Sequence, residues 1–221
     1  MFPNQQQKIG TKACGPVCLL NVYKHFRIKK SLDEILRDLK IDDKITTYPA
    51  QLATHLIGSG LKTVFINSSP FVIYPSWSGK PSKTIADRLQ KWIKLNKSDR
   101  WLKNSRHLLS YLNKNGEIMI IDLTTEAIDN FLDKGYLLIC CLEESWIWGE
   151  RKIPNTNKFD DVKGKTRGHY VILYGKDKNN YLVSDPFPTG LKNREGLYSL
   201  DKAKLLVATL VWTGQIIAVK K

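Results

Sequence analysis

The chain has 221 residues, 42% of them hydrophobic and 25% charged, with a formal net charge of +14. That length and balance suit one soluble globular domain able to bury a core without disulfide or metal staples. No window approaches the roughly 18 apolar residues of a membrane-spanning helix, and the start "MFPNQQQKIG" lacks the charged-then-apolar order of a secretory signal.

In chain order, residues 14–26 have helical spacing of apolar residues, and Pro16 falls in the first turn, where proline is favoured. Ser31 and Glu34 form a capping box that opens a second helix to about Leu39. Pro49 starts a third, which stops near Gly58-Ser59-Gly60. "LKTVFI" from Leu61 is a short strand, and residues 82–95 and 99–113 are amphipathic helices. "EIMIIDL" reads as a strand or short buried segment, "TTEAIDNFLDKG" as a helix capped by Thr124 or Thr125, and "YLLICCL" as a buried strand. Residues 143–168 are polar and read as a long loop, of a length that is often functional. "HYVILYG" and "NYLVSDP" follow as strands, then a short helix near 200–206, then "ATLVWTG" and "QIIAVKK" as strands. Helices come first and strands last. The expected fold class is therefore α+β with a mostly antiparallel sheet, in one domain spanning 1–221.

Basic residues crowd the 80–106 segment, interleaved with Trp92 and Trp101. Two readings stand: solvated helix faces with the tryptophans in the core, or a patch for an anionic partner. The four cysteines, Cys14, Cys18, Cys140 and Cys141, match no disulfide framework, and Cys14-x-x-x-Cys18 lacks the second ligand pair of a structural zinc site. A reducing, cytoplasmic setting is expected, with no metal or cofactor.

Cys14 stands directly before Gly15-Pro16 at the mouth of a helix. A nucleophilic cysteine needs a stabilised thiolate, a base or imidazolium partner and a donor for the oxyanion. A helix N-terminus supplies the first through its partial positive charge. Of the four histidines, His25 lies too far along the same helix, and His55 and His107 fall inside helices. His169 stands between the glycine-bearing "KGKTRG" and a strand. If "HYVILYG" and "YLVSDP" pair as a hairpin, Asp185 at the end of the second lies beside His169 at the start of the first.

At these residues the sequence resembles a family. "ACGPVCLLNVYKHF" is similar to the nucleophile helix of the double-glycine (bacteriocin-leader) cysteine peptidases, of the papain-like superfamily. "GHYVILYGKDKNNYLVSDPF" is similar to that family's histidine strand and following Asp-Pro. The resemblance implies a papain-like fold, with N-terminal helices packed on the sheet. It implies Cys14 as nucleophile, His169 as base and Asp185 as its orienting residue. It also implies a glutamine before the cysteine whose amide completes the oxyanion hole. The commonest spacing falls on Lys8. Gln7 is the choice, Gln6 the alternate, and Gln5 the third of the run.

There are departures. The family's exporter-linked members carry a membrane domain and an ATPase that these residues do not contain, so leader cleavage during export is not implied. A basic, helical insert at about 70–115 and the long 143–168 loop are larger than a minimal member needs. The reading is a cysteine hydrolase acting on a peptide or isopeptide bond through a thioester. The alternatives are an acyl transferase on the same fold and an inactive basic domain that binds nucleic acid or an acidic partner.

Overall fold

The computed structural model describes all 221 residues. Its centre is one seven-stranded sheet built from β1 (Lys62–Asn67), β2 (Glu117–Ile120), β3 (Leu137–Glu143), β4 (Gly168–Lys176), β5 (Asn180–Asp185), β6 (Gly196–Asp201) and β7 (Gln215–Lys220). The spatial order is β2-β1-β7-β3-β4-β5-β6, and only the β1–β2 pair is parallel. The α+β expectation holds.

Helices cover both faces. On one side lie α1 (Cys14–His25), α2 (Leu32–Leu39), α3 (Pro49–Gly58), α4 (Ser82–Leu95) and α5 (Leu102–Asn113), around one apolar cluster. On the other lie α6 (Thr125–Asp133), the short α7 (Glu144–Trp148) and α8 (Lys202–Leu210), around a second. The strands between must be apolar on both faces. In β3, Leu137, Ile139 and Cys141 enter the first cluster, whereas Leu138, Cys140 and Leu142 enter the second. "YLLICCL" therefore reads as an unbroken run. Fully burying such a side chain contributes about 1.5–3 kcal/mol.

Local chemistry sets the helix starts. The Ser31 hydroxyl accepts from the Glu34 N–H, and the Glu34 carboxylate accepts in return from the Ser31 N–H. The Thr124 hydroxyl caps α6 by accepting from the Ala127 N–H, and the Asp201 carboxylate caps α8 by accepting from the Lys204 N–H.

Two stretches differ from expectation. The 143–168 segment is not all loop: Glu143 accepts from the Ser145 hydroxyl and the Trp146 N–H, which nucleates α7, and Gly149 ends it in the left-handed region at φ 84°. "ATLVWTG" is not a strand. Its first residues finish α8, where Leu205, Ala208 and Thr209 pack into the core, and the rest turns into β7. Its β-branched and aromatic composition suggested extension, but burial of one helical face decided otherwise.

Candidate active site

Several elements meet at one end of the sheet. Glu143 at the end of β3 pairs with Gly168 at the start of β4, and Cys141 pairs with Gln215 at the start of β7. Ile172 of β4 pairs with Ser184 of β5, so β5 ends here as well. Helix α1 packs on β4, and the Cys18 thiol donates to the Tyr170 carbonyl at 3.5 Å. One turn back from Cys18, about 6 Å along the axis, is Cys14, level with His169.

His169 Nε2 lies 2.7 Å from Asp185 Oδ1. The hairpin inferred from the strands thus brings the two side chains together. Asp185 is fully buried, and its carboxylate receives three further donors. The Phe187 N–H reaches Oδ1 at 2.9 Å, and the Trp148 indole N–H and Tyr198 hydroxyl reach Oδ2 at 3.0 Å each. A buried carboxylate is tolerable only when its lone pairs are met in this way. Burial and the Asp185 charge hold the Tyr198 phenol well above its ordinary range, so it remains a donor. Trp148 also packs against the His169 ring, tilted at 52° with centroids 5.1 Å apart, and Phe187 lies 5.3 Å from Trp148. Burial alone would lower the His169 pKa. The charge and hydrogen bond of Asp185 outweigh it, Cys14 adds to them, and the imidazolium is pushed up to about 10.

Cys14, His169 and Gln7 line one cleft of about 490 Å³. Cys14 is partly exposed, whereas Cys18, Cys140 and Cys141 are buried and burial raises their thiols, Cys141 to about 12. The three glutamines part company. Gln5 is tied through its backbone to Asn21, and its side chain is exposed. Gln6 reaches outward to Glu195 at 3.3 Å. Gln7 is buried, its N–H donates to the Pro186 carbonyl at 2.7 Å, and its side-chain amide donates to the Thr11 carbonyl at 3.0 Å. Lys8 is exposed. His25 is exposed against Phe2, and His55 and His107 line a separate hollow with Lys30 and Asp38.

Glycines permit the close approaches. A Cβ on Gly15 would overlap the Thr47 hydroxyl and Leu52, and one on Gly168 would overlap the Trp212 indole. Thr47 is thereby drawn against the start of α1, and Trp212 lies over the backbone preceding His169.

No protein-family model and no curated protein matches the chain. Solved structures do. A C39-like peptidase from Bacillus anthracis aligns at TM-score 0.52 and 12% identity, over 100% of this chain and 94% of that one. The chain has the fold of a C39-like peptidase. The peptidase domain of Streptococcus ComA, a bi-functional ABC transporter of a quorum sensing pathway, aligns at TM-score 0.49 and 16% identity, over 99% of this chain and 98% of that one.

Within this C39-like fold, sequence reasoning missed the shell around the pair. Trp148 and Tyr198 hold Asp185, yet Trp148 lay in a segment read as loop and Tyr198 in a strand that was not anticipated. The one available signal was the aromatic pair in "ESWIWGE", out of place in a solvated loop. Also missed was Glu144, which lines the cleft 3.8 Å from the buried Lys152 amine. Burial outweighs the attraction of Lys152 and His169 and raises the Glu144 carboxyl to about 7. Neither tryptophan of the 80–106 segment is fully buried, though Trp101 packs against the edge of the first cluster. Trp101 is half-buried, stacks on Phe71 at 4.8 Å and lines the cleft.

Proposed function

We propose that the chain is a cysteine peptidase in which Cys14 is the nucleophile, His169 the acid and base, and Asp185 the residue that orients the imidazole. The observation that carries this reading is the buried His169–Asp185 pair at 2.7 Å, opening on the same cleft as a partly exposed cysteine at a helix N-terminus. Asp185 occupies Nε2, which leaves Nδ1 for the thiol and then for the leaving group. The first-turn N–H groups of α1 have no partner within the helix, so the Cys14 N–H is available to an oxyanion, with the Gln7 amide as second donor.

The Cys14 sulfur attacks the carbonyl carbon of a peptide bond, and the tetrahedral oxyanion is held by these donors. The imidazolium then gives its proton to the leaving nitrogen as the C–N bond breaks, leaving a thioester. A water, deprotonated by His169, attacks the thioester and restores the thiol. The C39-like fold supports the peptidase reading, since the neighbour from Bacillus anthracis is described as a C39-like peptidase.

The test is reaction with a peptide acyl-electrophile followed by mapping of the modified residue, together with hydrolysis of a peptide library. Cys14 is expected to carry the label, and Cys14→Ala to lose labelling and turnover while keeping its circular dichroism. Turnover at wild-type rate by Cys14→Ala would overturn the covalent mechanism. Formation of an amide with an added amine, instead of release of the acid, would assign the same residues to acyl transfer.

A further inference from the structure

We infer that the cleft binds an extended peptide bearing acidic side chains, gripped by cation–aromatic pairs of the 70–115 segment. The inference rests on the peptidase reading above. Two independent observations support it.

The first concerns polar atoms without partners. Seven buried side-chain atoms in the molecule make no hydrogen bond. Five of them are oxygens of residues lining this cleft. The Thr47 hydroxyl can also donate, Glu144 Oε1 faces the Lys152 amine at 3.8 Å and the Gln7 amide is assigned above to the oxyanion, which leaves Asn104 Oδ1 and Gln215 Oε1 as acceptors without a donor. The Gln215 amide orientation is set by its Nε2 bond to Asn67 Oδ1. Buried acceptors without a donor are costly, so these two point to a ligand that brings N–H groups. An extended peptide backbone presents one at nearly every residue. A nucleic-acid backbone presents phosphate oxygens, which these acceptors would repel.

The second concerns charge. Lys12, Lys152 and Arg167 line the cleft against a single carboxylate, Glu144, which faces Lys152. Beside them, the Arg100 guanidinium lies 5.4 Å from the Trp101 ring centroid and 6.0 Å from that of Phe71, and Lys103 lies 5.7 Å from that of Tyr48. Trp101 and Tyr48 are themselves cleft residues. Arg100 and Lys103 are exposed, and neither they nor Lys12 and Arg167 have a carboxylate within ion-pair distance. Stacking holds the two cations in place without neutralising them. A peptide whose carboxylates reach this wall while its backbone N–H groups meet the acceptors satisfies both sets at once.

The experiment is digestion of a positional-scanning peptide library by the wild-type chain. The best acidic peptide is then compared with its glutamine analogue at low and high salt, and with the double variant Arg100→Glu, Lys103→Glu. Asp and Glu should be enriched in the cleaved peptides. The acidic peptide should lose its kcat/KM advantage at high salt, and the double variant should lose roughly tenfold on it relative to the analogue, a few-fold per exposed charge pair. If the double variant does not fold, the salt and glutamine arms decide with the wild type alone. Labelling of Cys14 with cleavage indifferent to acidic residues would overturn the inference and leave the peptidase reading standing. Absence of both labelling and cleavage would overturn that reading and the inference with it. Protection of Cys14 from labelling by an oligonucleotide, but not by acidic peptides, would assign the cleft to nucleic acid instead.

Discussion

Asp185 does more at this site than accept one hydrogen bond. Four donors converge on it, so its charge is fixed in place and its field acts on the imidazole without competing water. Because the folded-state pKa of His169 is raised to about 10 against an ordinary 6.5, the imidazolium's contribution to stability is complete below about 6.5 and is lost as pH rises through about 10. In the proposed mechanism, the acid that protonates the leaving nitrogen disappears over the same upper limb. Asp185→Asn should therefore move the alkaline limb of kcat/KM down from about 10 by more than a pH unit, while some turnover survives. An unmoved limb would show that Asp185 does not set the proton affinity of His169. Trp148→Phe keeps the ring beside His169 but removes one donor to Asp185. It should shift the same limb by less than Asp185→Asn, because three donors remain, and a pH profile of the two variants side by side measures the ranking.

Among the elements, α1 and the hairpin of β4 and β5 must meet with sub-ångström tolerance, and the contacts that fix them are small. Cys18 is bonded to the Tyr170 carbonyl, Asn21 binds the backbone of Gln5, and Ser184 donates to Asn4, so the N-terminal strap is clamped between α1 and β5. Gly15 lets Thr47 sit against the first turn. Gly15→Ala places a methyl group on the Thr47 hydroxyl and Leu52, so either α1 or the Thr47 segment must shift. The expected cost is about 1–3 kcal/mol in urea unfolding. The expected loss of labelling rate at Cys14 is larger than that stability change explains, because the proposed nucleophile sits one residue away. A variant with wild-type labelling and stability would show that this contact does not position α1.

For the molecule as a whole, the candidate site joins residue 14 on the α1 layer to residues 169 and 185 on the sheet, and Trp148 from the opposite layer holds Asp185, so it depends on both cores. Leu138→Ala opens the cluster under α6 and α8, and Ile217→Ala the cluster under α1 and α3; both residues are fully buried. Each should cost about 2–5 kcal/mol, which lowers the melting temperature by roughly 2–4 °C for each kcal/mol in a chain of this size. Loss of Cys14 labelling should track the circular dichroism transition in both variants. If Ile217→Ala lost labelling well before its transition while Leu138→Ala did not, the two layers would be unfolding separately.

Much was legible from the chain alone because the signals are local. Capping at Ser31, Pro16 in the first turn of α1, and the pairing of "HYVILYG" with "YLVSDP" depend on neighbours within about twenty residues, and they led to Cys14, His169 and Asp185. Gln7 could be preferred over Gln5 and Gln6 only by resemblance, since three identical residues in a row carry no local difference. Tertiary structure separated them, burying one and exposing two through backbone bonds to Pro186 and Asn21. The same holds for Trp148, which lies 37 residues from the carboxylate it serves, for Tyr198, which sits on a strand the pattern did not mark, and for Trp101, whose place in the cleft wall no helical period records. The sequence by itself determined which residues could form a thiol–imidazole–carboxylate set, because their covalent neighbourhoods prescribe a helix start and a hairpin. Only the folded chain decided what surrounds that set. Long-range packing chooses which donors, aromatic rings and charges from distant segments come within reach, and those choices follow from burial across both faces of the sheet.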